Sequence, residues 1–253
     1  MKNLKIFKIL GISALVLAIS SCSLEPVIDS KVTNYPIMTL NGDETVFVEL
    51  GSTYNDPGVI ATENGTPITY TSTATGKYRF GKTLDTNIAD QYVQTYTAVN
   101  KDGFANTISR TVIVYKNGDL VNSIEGIYVS TTRRNGSLLP ASQGSSVGME
   151  YVYIWKNSNG TYQISDAFGG WYELGRNIVD SNTPGGTITG NIPTNTFTFP
   201  GNPLTNTYFK GVANLSALTA DPATKTVVVT CDWDSAPPVT KYKFVSTLTQ
   251  FQP

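Results

Sequence analysis

The sequence predicts an all-β protein with two folded domains. Tyr, Thr, Val, Gly and Asn are abundant and Glu, Lys and Leu are sparse, a composition that favours strands joined by tight turns. Short runs of alternating apolar and polar residues recur between turn residues, and none has the length and period of a helix. The 253 residues exceed the common domain size of about 100 to 150 residues, so we expect two separate cores.

The N-terminus has the layout of a secretory signal peptide. Lys2, Lys5 and Lys8 form a positive region, and an apolar run over residues 9–19 follows. A membrane-spanning helix needs about 20 consecutive apolar residues, so this run is too short to be one. The sequence therefore predicts that the rest of the chain is exported.

The four residues at 19–22, Ile-Ser-Ser-Cys, resemble a bacterial lipobox. The resemblance implies cleavage after residue 21 and attachment of diacylglycerol to the thiol of Cys22, which anchors the mature protein in a membrane. Two or three acyl chains hold a protein stably, whereas one holds it only marginally. An aspartate directly after the lipidated cysteine would resemble an inner-membrane retention signal, but this position is Ser23. We therefore predict the outer membrane and a cell-surface location. The alternative is an ordinary signal peptide with an incidental cysteine.

Charge and composition exclude several classes of function. Removal of residues 1–21, which hold three lysines and no acidic residue, leaves 15 basic and 19 acidic residues, a net charge of −4. No basic stripe is present, so a nucleic-acid partner is not expected. The absence of histidine removes Ser-His-Asp and Cys-His catalytic systems and histidine-bound zinc. We expect no cofactor, and we expect Cys231, in a strand-like run, to be a buried and inert thiol.

Residues 22–36 read as an extended tether, and residues 37–116 as a β-sandwich domain. Residues 37–40 and 45–50 are strand-like and flank an Asn-Gly turn, and residues 91–99 and 108–114 are strand-like as well. The phrases LGSTYNDPG at residues 50–58, YVQTYTAVNKDG at 92–103 and RTVIV at 110–114 resemble the bacterial Ig-like module of surface proteins. The resemblance implies a spacer that holds another domain away from a surface.

Three aspartates of this domain, Asp56, Asp90 and Asp102, offer oxygen atoms of the kind that calcium prefers. Their spacing matches no EF-hand loop. Aspartates in turns more often accept hydrogen bonds from nearby backbone amides, and we expect that role here.

Residues 122–253 are expected to form a second antiparallel β domain, either a sandwich or barrel-like. Residues 149–156 alternate clearly, with Met149, Tyr151, Tyr153 and Trp155 on one face and polar or aliphatic residues on the other. A Gly-x-Tyr phrase at residues 126–128, the phrase YQISDAFGGWY at 162–172 and an Asp-Pro turn at 221–222 resemble the C-terminal domain of a family of uncharacterised Bacteroidetes surface lipoproteins. In that family the domain follows the same Ig-like module.

Candidate binding residues cluster around the Gly169-Gly170 pair. An aromatic surface for stacking sugar rings, with charged side chains for the hydroxyl groups, is predicted from a set of six residues: Trp155, Asp166, Trp171, Tyr172, Glu173 and Arg176. Tyr151 and Tyr153 would extend the platform. The alternative is that these aromatic rings fill a β-domain core, which is commoner for alternating aromatics on a strand.

Three functions remain open from the sequence. The first is a non-enzymatic surface lipoprotein that binds extracellular glycan or assists a glycan-uptake complex, with a polysaccharide or an outer-membrane protein as its partner. The second is a structural or adhesive protein that contacts another protein through a sheet edge or apolar patch. The third, a hydrolase that uses Asp166 and Glu173, needs two facing carboxylates about 5 to 10 Å apart, and we do not expect an enzyme.

Overall fold

The computed structural model describes residues 32–253, so the predicted signal peptide, Cys22 and most of the predicted tether lie outside the described residues. Residues Tyr35–Pro253 form one compact unit built from strands and a single 3-10 turn at Ala141–Gln143. The strands are β1 Ile37–Leu40, β2 Thr45–Glu49, β3 Val59–Glu63, β4 Thr66–Pro67, β5 Tyr70–Gly76, β6 Asp90–Val99, β7 Ala105–Tyr115, β8 Gly126–Arg134, β9 Met149–Lys156, β10 Tyr162–Ile164, β11 Gly185–Asn191, β12 Thr196–Thr198, β13 Leu204–Thr205, β14 Val212–Asp221, β15 Thr226–Asp234 and β16 Lys241–Gln250.

The N-terminal part is a sandwich of two sheets. Strands β1, β3 and β4 form one sheet in the order β1-β3-β4, and the other has the order β2-β7-β6-β5, with β2 parallel to β7. Strand β6 alternates strictly, so that Tyr92, Tyr96 and Ala98 face the interior while Val93 and Val99 face solvent. The alternation predicted from the sequence therefore places the core of this domain.

The buried guanidinium of Arg110 pairs with Asp56, a partly exposed residue of the loop between β2 and β3, and so links strand β7 to that loop. Arg110 is fully buried and donates to Asp56 Oδ1 at 2.9 Å and, through Nε, to the Asp43 carbonyl at 2.8 Å. Asp56 also accepts from Tyr96 Oη at 2.5 Å and Gln94 Nε2 at 2.8 Å. A buried guanidinium requires such partners, because its desolvation is costly otherwise.

The loop aspartates cap backbone amides. Asp90 accepts from the amides of Tyr78, Arg79 and Gln91 at 2.8 to 2.9 Å, and Asp56 accepts from the Gly58 amide at 2.9 Å. Within residues 32–253 no group of three or more acidic or cysteine side chains has the arrangement to hold a metal ion. For these two aspartates the capping role expected from the sequence is what the structure contains.

The C-terminal part is a single curled sheet of nine antiparallel strands in the order β12-β11-β10-β9-β8-β16-β15-β14-β13. Strand β15 alternates along its whole length, with Val227, Val229, Cys231 and Trp233 buried. Cys231 is fully buried, as the sequence predicted, and burial raises the pKa of its thiol well above the usual value. The all-β prediction is confirmed, and the second domain is a curled sheet.

Strand β9 is buried on both faces. Val152 and Ile154 point into the core of the C-terminal domain, whereas Tyr153 and Trp155 belong to a separate cluster with Tyr78 and Ile113 of the Ig-like domain. Phe47 of strand β2 extends this cluster, since its ring lies 5.7 Å from that of Tyr151 and 5.5 Å from that of Phe251. The aromatic face of β9 is thus the interface between the two domains.

A tight loop fills the concave side of the curled sheet. Gly169 has a φ of 60°, and its carbonyl accepts hydrogen bonds from Ser130 Oγ at 2.7 Å and Thr132 Oγ1 at 3.1 Å. A Cβ at this position would collide with Ser246 and Thr132. Only glycine lets this loop, which we call the plug (residues 166–176), approach the sheet so closely.

We predict that Tyr78→Ala lowers the free energy of unfolding by about 3 to 5 kcal/mol, because the ring is 6% exposed and lies 5.3 Å from the Tyr153 ring across the domain interface. Phe80→Ala is the control, since Phe80 is 76% exposed and its loss should change stability by no more than about 0.5 kcal/mol. Urea denaturation followed by tryptophan fluorescence measures both. Equal, small losses in the two variants would contradict a tightly packed interface.

We also predict that Gly169→Ala costs about 3 kcal/mol or more, because positive φ and a collision with the sheet act together. Gly160→Ala is the matched control: Gly160 has a φ of 85°, and a Cβ added there would meet no atom within 4 Å, so only the backbone term of about 1 kcal/mol applies. Thermal unfolding of the two variants checks this. Similar shifts would mean that the plug has room to move.

Candidate functional site

The predicted aromatic platform is packed inside the protein. Trp171 and Tyr172 of the plug are 2% and 4% exposed. The Phe168 ring stacks on that of Phe244 at 4.5 Å, and the Tyr172 ring lies 6.0 Å from that of Trp233. These rings form the core between the plug and the concave face of the curled sheet, which is the alternative that the sequence left open.

Two arginines contact the aromatic rings of this core through their guanidinium groups. Arg134 donates to Tyr172 Oη at 3.0 Å, and its guanidinium lies 5.1 Å from the Trp171 ring and 4.8 Å from the Tyr242 ring. Arg176 is half-buried, and its guanidinium lies 5.8 Å from the Tyr172 ring. Cation–π contacts of this kind stabilise the aromatic core and keep the charged groups at the surface.

Asp166 organises the plug from within. Its carboxylate accepts hydrogen bonds from the amides of Phe168 at 2.9 Å, Gly170 at 2.9 Å and Thr183 at 3.0 Å. Burial raises its pKa to about 6, although the three amides act in the opposite direction. A carboxylate that is fully enclosed and bonded in this way fixes a loop and has no access to an external ligand.

Trp155 lies apart from the other aromatic candidates. It is 5% exposed and belongs to the domain interface, where its Nε1 donates to Gln163 Oε1 at 3.1 Å and the Arg79 guanidinium lies 5.7 Å from its ring. Trp171 and Tyr172 belong to the core on the other face of β9. The structure therefore does not bring Trp155 together with them in one surface.

A cleft of about 690 Å³ lies between the two domains and includes Glu173 of the predicted set. Strands β5 and β6 of the Ig-like domain form one wall, and the start of strand β9 and loops of the C-terminal domain form the other. The lining residues are Thr75, Lys77, Gln91, Val93, Ser145, Val147, Gly148, Met149, Glu150, Glu173, Leu174, Asn177, Val179 and Asp180. Pockets at domain interfaces are common places for ligands.

An ion pair that joins the two domains lies in this cleft. Lys77 Nζ lies 2.5 Å from Glu173 Oε1, and Glu173 Oε2 accepts from the Asn182 amide at 3.2 Å. Two further carboxylates, Glu150 and Asp180, are exposed along the cleft. With Lys77 paired, the cleft offers carboxylates, amides and hydroxyls as hydrogen-bonding groups and carries a net negative charge.

Exposed valines give the cleft its apolar surface. Val93 is 37% exposed, Val147 54% and Val179 71%. The sequence pointed to Glu173 but missed the other lining residues, because Lys77 and Gln91 come from a different domain and no local motif marks them. Only the packing of β9 on the Ig-like domain brings the two walls together.

Comparison with known proteins agrees with this architecture. A family model for a C-terminal domain matches residues 117–250, which is more than half of the chain, and a model for the Ig-like domain of bacterial surface proteins matches residues 38–114. The chain belongs to the family that this C-terminal domain defines. Both family resemblances stated from the sequence are confirmed.

A solved structure supports the assignment to this family. The crystal structure of the lipoprotein BT2262 from Bacteroides thetaiotaomicron is similar to the chain with a TM-score of 0.55 and 26% identity, over 85% of this chain and 100% of that one. The chain is therefore similar to a bacterial lipoprotein. No curated protein matches the sequence. No helix among residues 32–253 is long and apolar enough to cross a membrane.

We predict that stability falls as pH rises from about 4 to about 6, in part through Asp166. Its native pKa of about 6 lies above the value of 3.8 expected when unfolded, so the native state binds more protons in this range and loses stability as they dissociate. Urea denaturation across this range should show a shallower fall for Asp166→Asn. An unchanged slope would assign the effect to other carboxylates, such as Asp90, whose pKa burial also raises.

Proposed function

We propose that the protein is a non-enzymatic cell-surface lipoprotein, anchored in the outer membrane through Cys22, that binds extracellular glycan in its interdomain cleft or presents that cleft to a glycan-uptake complex. The observation that carries the proposal is the cleft, which is large enough for a sugar oligomer and is lined by groups from both domains. The Ig-like domain acts as the spacer that its family suggests.

The chemistry of the cleft suits a hydroxylated, uncharged ligand. Glu150, Asp180 and Gln91 offer acceptors and donors for hydroxyl groups, and Val147 and Val179 offer apolar surface for the faces of sugar rings. An anionic polymer would meet unfavourable charge, since Lys77, the only cation from residues 32–253 that lines the cleft, is already paired with Glu173. Because the aromatic rings are buried, we expect hydrogen bonds to contribute more to glycan binding than stacking on aromatic rings does.

The placement of the carboxylates supports a binding role over catalysis. A glycosidase needs an acid with a raised pKa that faces the substrate. Asp166, whose pKa is raised, is enclosed in the plug by three amides and lies away from the cleft lining. Glu173, which lines the cleft, is engaged by Lys77.

A structural or adhesive role through protein contacts is the second candidate. Within the part of the chain that the structure describes, strand β5 is an edge strand of seven residues that pairs only with β6, and Thr71, Ser72 and Thr73 on it are exposed. It has no charge, proline or bulge of the kind that usually protects a free edge. An edge of this type can accept a strand from another chain.

We predict that the mature chain with Cys22→Ala is retarded by at least one neutral polysaccharide in affinity electrophoresis. Replacing both exposed cleft carboxylates, Glu150→Ala with Asp180→Ala, should weaken the interaction at least about tenfold, because each removes a hydrogen bond to a charged group. The matched control, Asp232→Ala with Asp234→Ala, loses the same charge from side chains 43% and 48% exposed outside the cleft and should bind as the wild type does.

Failure of every polysaccharide to retard the wild type would overturn glycan binding. Sedimentation analysis would then test the second candidate, with Thr73→Lys placing a charge on the β5 edge. Self-association that this substitution abolishes would support an adhesive role. A monomer at all concentrations would contradict contact between copies through that edge.

A further inference from the structure

An exposed apolar patch surrounds the point where the chain enters the Ig-like domain. Four side chains form this entry patch: Tyr35, Ile37, Val99 and Phe104, which are 60%, 64%, 52% and 43% exposed. The rings of Tyr35 and Phe104 lie 5.1 Å apart. Soluble proteins rarely gather large apolar side chains on their surface without a partner.

A side-chain hydrogen bond and strand pairing keep the members of the patch together. Asn106 Nδ2 donates to the Pro36 carbonyl at 2.8 Å, which fixes the segment between Tyr35 and Ile37 beside the start of strand β7. Val99 pairs with Ala105, the residue that follows Phe104. The patch is therefore a fixed feature of one end of the Ig-like domain.

The opposite end of the domain carries the C-terminal domain. Phe104 comes immediately before strand β7, and Tyr115 is the last residue of that strand. At about 3.3 Å per residue, β7 spans roughly 35 Å. Near its far end, Ile113 belongs to the aromatic interface with β9. The entry patch and the C-terminal domain thus lie at opposite ends of the long axis of β7.

The length of chain before the patch limits what the patch can reach. Twelve residues lie between Cys22 and Tyr35, so the two are at most about 45 Å apart when the chain is fully extended. A lipid at Cys22 would hold the patch within this distance of the membrane at all times. Under such tethering the effective concentration of the surface is high, and a small apolar contact is sufficient for binding.

We propose that the entry patch docks on the lipid surface beside the anchor, so that the Ig-like domain stands on the membrane and the cleft-bearing C-terminal domain points away from it. Tyr settles at the boundary between lipid headgroups and acyl chains, and Phe is common on apolar faces that insert at this boundary. Beside the patch, Lys101 Nζ lies 3.7 Å from Glu63 Oε1 and Asp102 adds a further negative charge, so these side chains offer no net positive charge to anionic lipid. The contact is therefore apolar and suits a zwitterionic surface.

This inference rests on lipid attachment at Cys22, which is part of the proposed function, so its test supplies the anchor artificially. The mature chain with Cys22→Ser carries an N-terminal polyhistidine tag and binds phosphatidylcholine vesicles that contain a nickel-chelating lipid. An environment-sensitive fluorophore is attached to Phe104→Cys, and Phe80→Cys, at an aromatic residue that is 76% exposed in the hairpin between β5 and β6, is the matched control. The buried Cys231 thiol does not compete for the label.

Anchoring should shift the emission of the label at position 104 to shorter wavelength and protect it from iodide quenching, while the label at position 80 stays unchanged. In a second pair, a label at Val99→Cys should show the same shift, and Tyr35→Ser with Phe104→Ser should abolish it. Equal responses at positions 80 and 104, or none at 104, would overturn the proposal. A shift at 104 that depends on protein concentration without vesicles would indicate a second copy instead and would also overturn it.

Lipid attachment itself has a separate readout. Mass spectrometry of the N-terminal peptide from the membrane-extracted protein detects the modification at Cys22. If the modification is absent and the vesicle experiment is positive, lipid anchoring through Cys22 is contradicted. The affinity of the patch for membranes would then still stand. The polysaccharide measurements do not depend on either result, because they use the protein without lipid.

Discussion

The burial of strand β9 on both faces is the constraint on which the rest of the structure depends. Its aliphatic face belongs to the core of the curled sheet, and its aromatic face packs on Tyr78, Ile113 and Phe47 of the Ig-like domain. A strand with one solvated face would leave the two domains free to move as separate bodies. Because residues 152–155 of β9 are buried on both faces of the strand, the domains share a packed interface, and the cleft between them has two fixed walls.

The plug shows that a sequence segment rich in glycine and aromatic residues can have a structural role. Gly169 reaches the sheet where no side chain fits, Asp166 satisfies three amides that the tight turn leaves unpaired, and Trp171 fills the concavity. A curled sheet of nine strands has a concave face that must be filled, and a loop with adjacent glycines can fold into it. The most distinctive segment of the sequence therefore forms part of the core of the domain. Its residue Glu173 also lines the cleft.

In the two proposals, the Ig-like domain is a spacer that makes a contact at each of its two ends. At the β7 start, apolar side chains surround the entry of the chain, and at the β7 end, aromatic residues hold the C-terminal domain. A spacer that contacts both the membrane and the binding domain sets the height and direction of the cleft. Neither task needs catalysis, and the carboxylates whose pKa values are raised, Asp166 and Asp90, are occupied by backbone amides.

By itself, the sequence determined the all-β class, the two family resemblances and the bounds of some strands, such as β1, which precedes an Asn-Gly turn, and β9, which alternates strongly. It missed β5 and β14, because strands at or near a sheet edge carry mixed polar residues with a weak pattern. It also placed the candidate site on Trp155, Trp171 and Tyr172 without deciding between platform and core. Alternation records which residues share a face of a strand, but what covers that face is set by contacts between residues far apart in the chain. Only the tertiary structure decided that both faces of β9 are covered, and that Lys77 and Glu173 meet in a cleft.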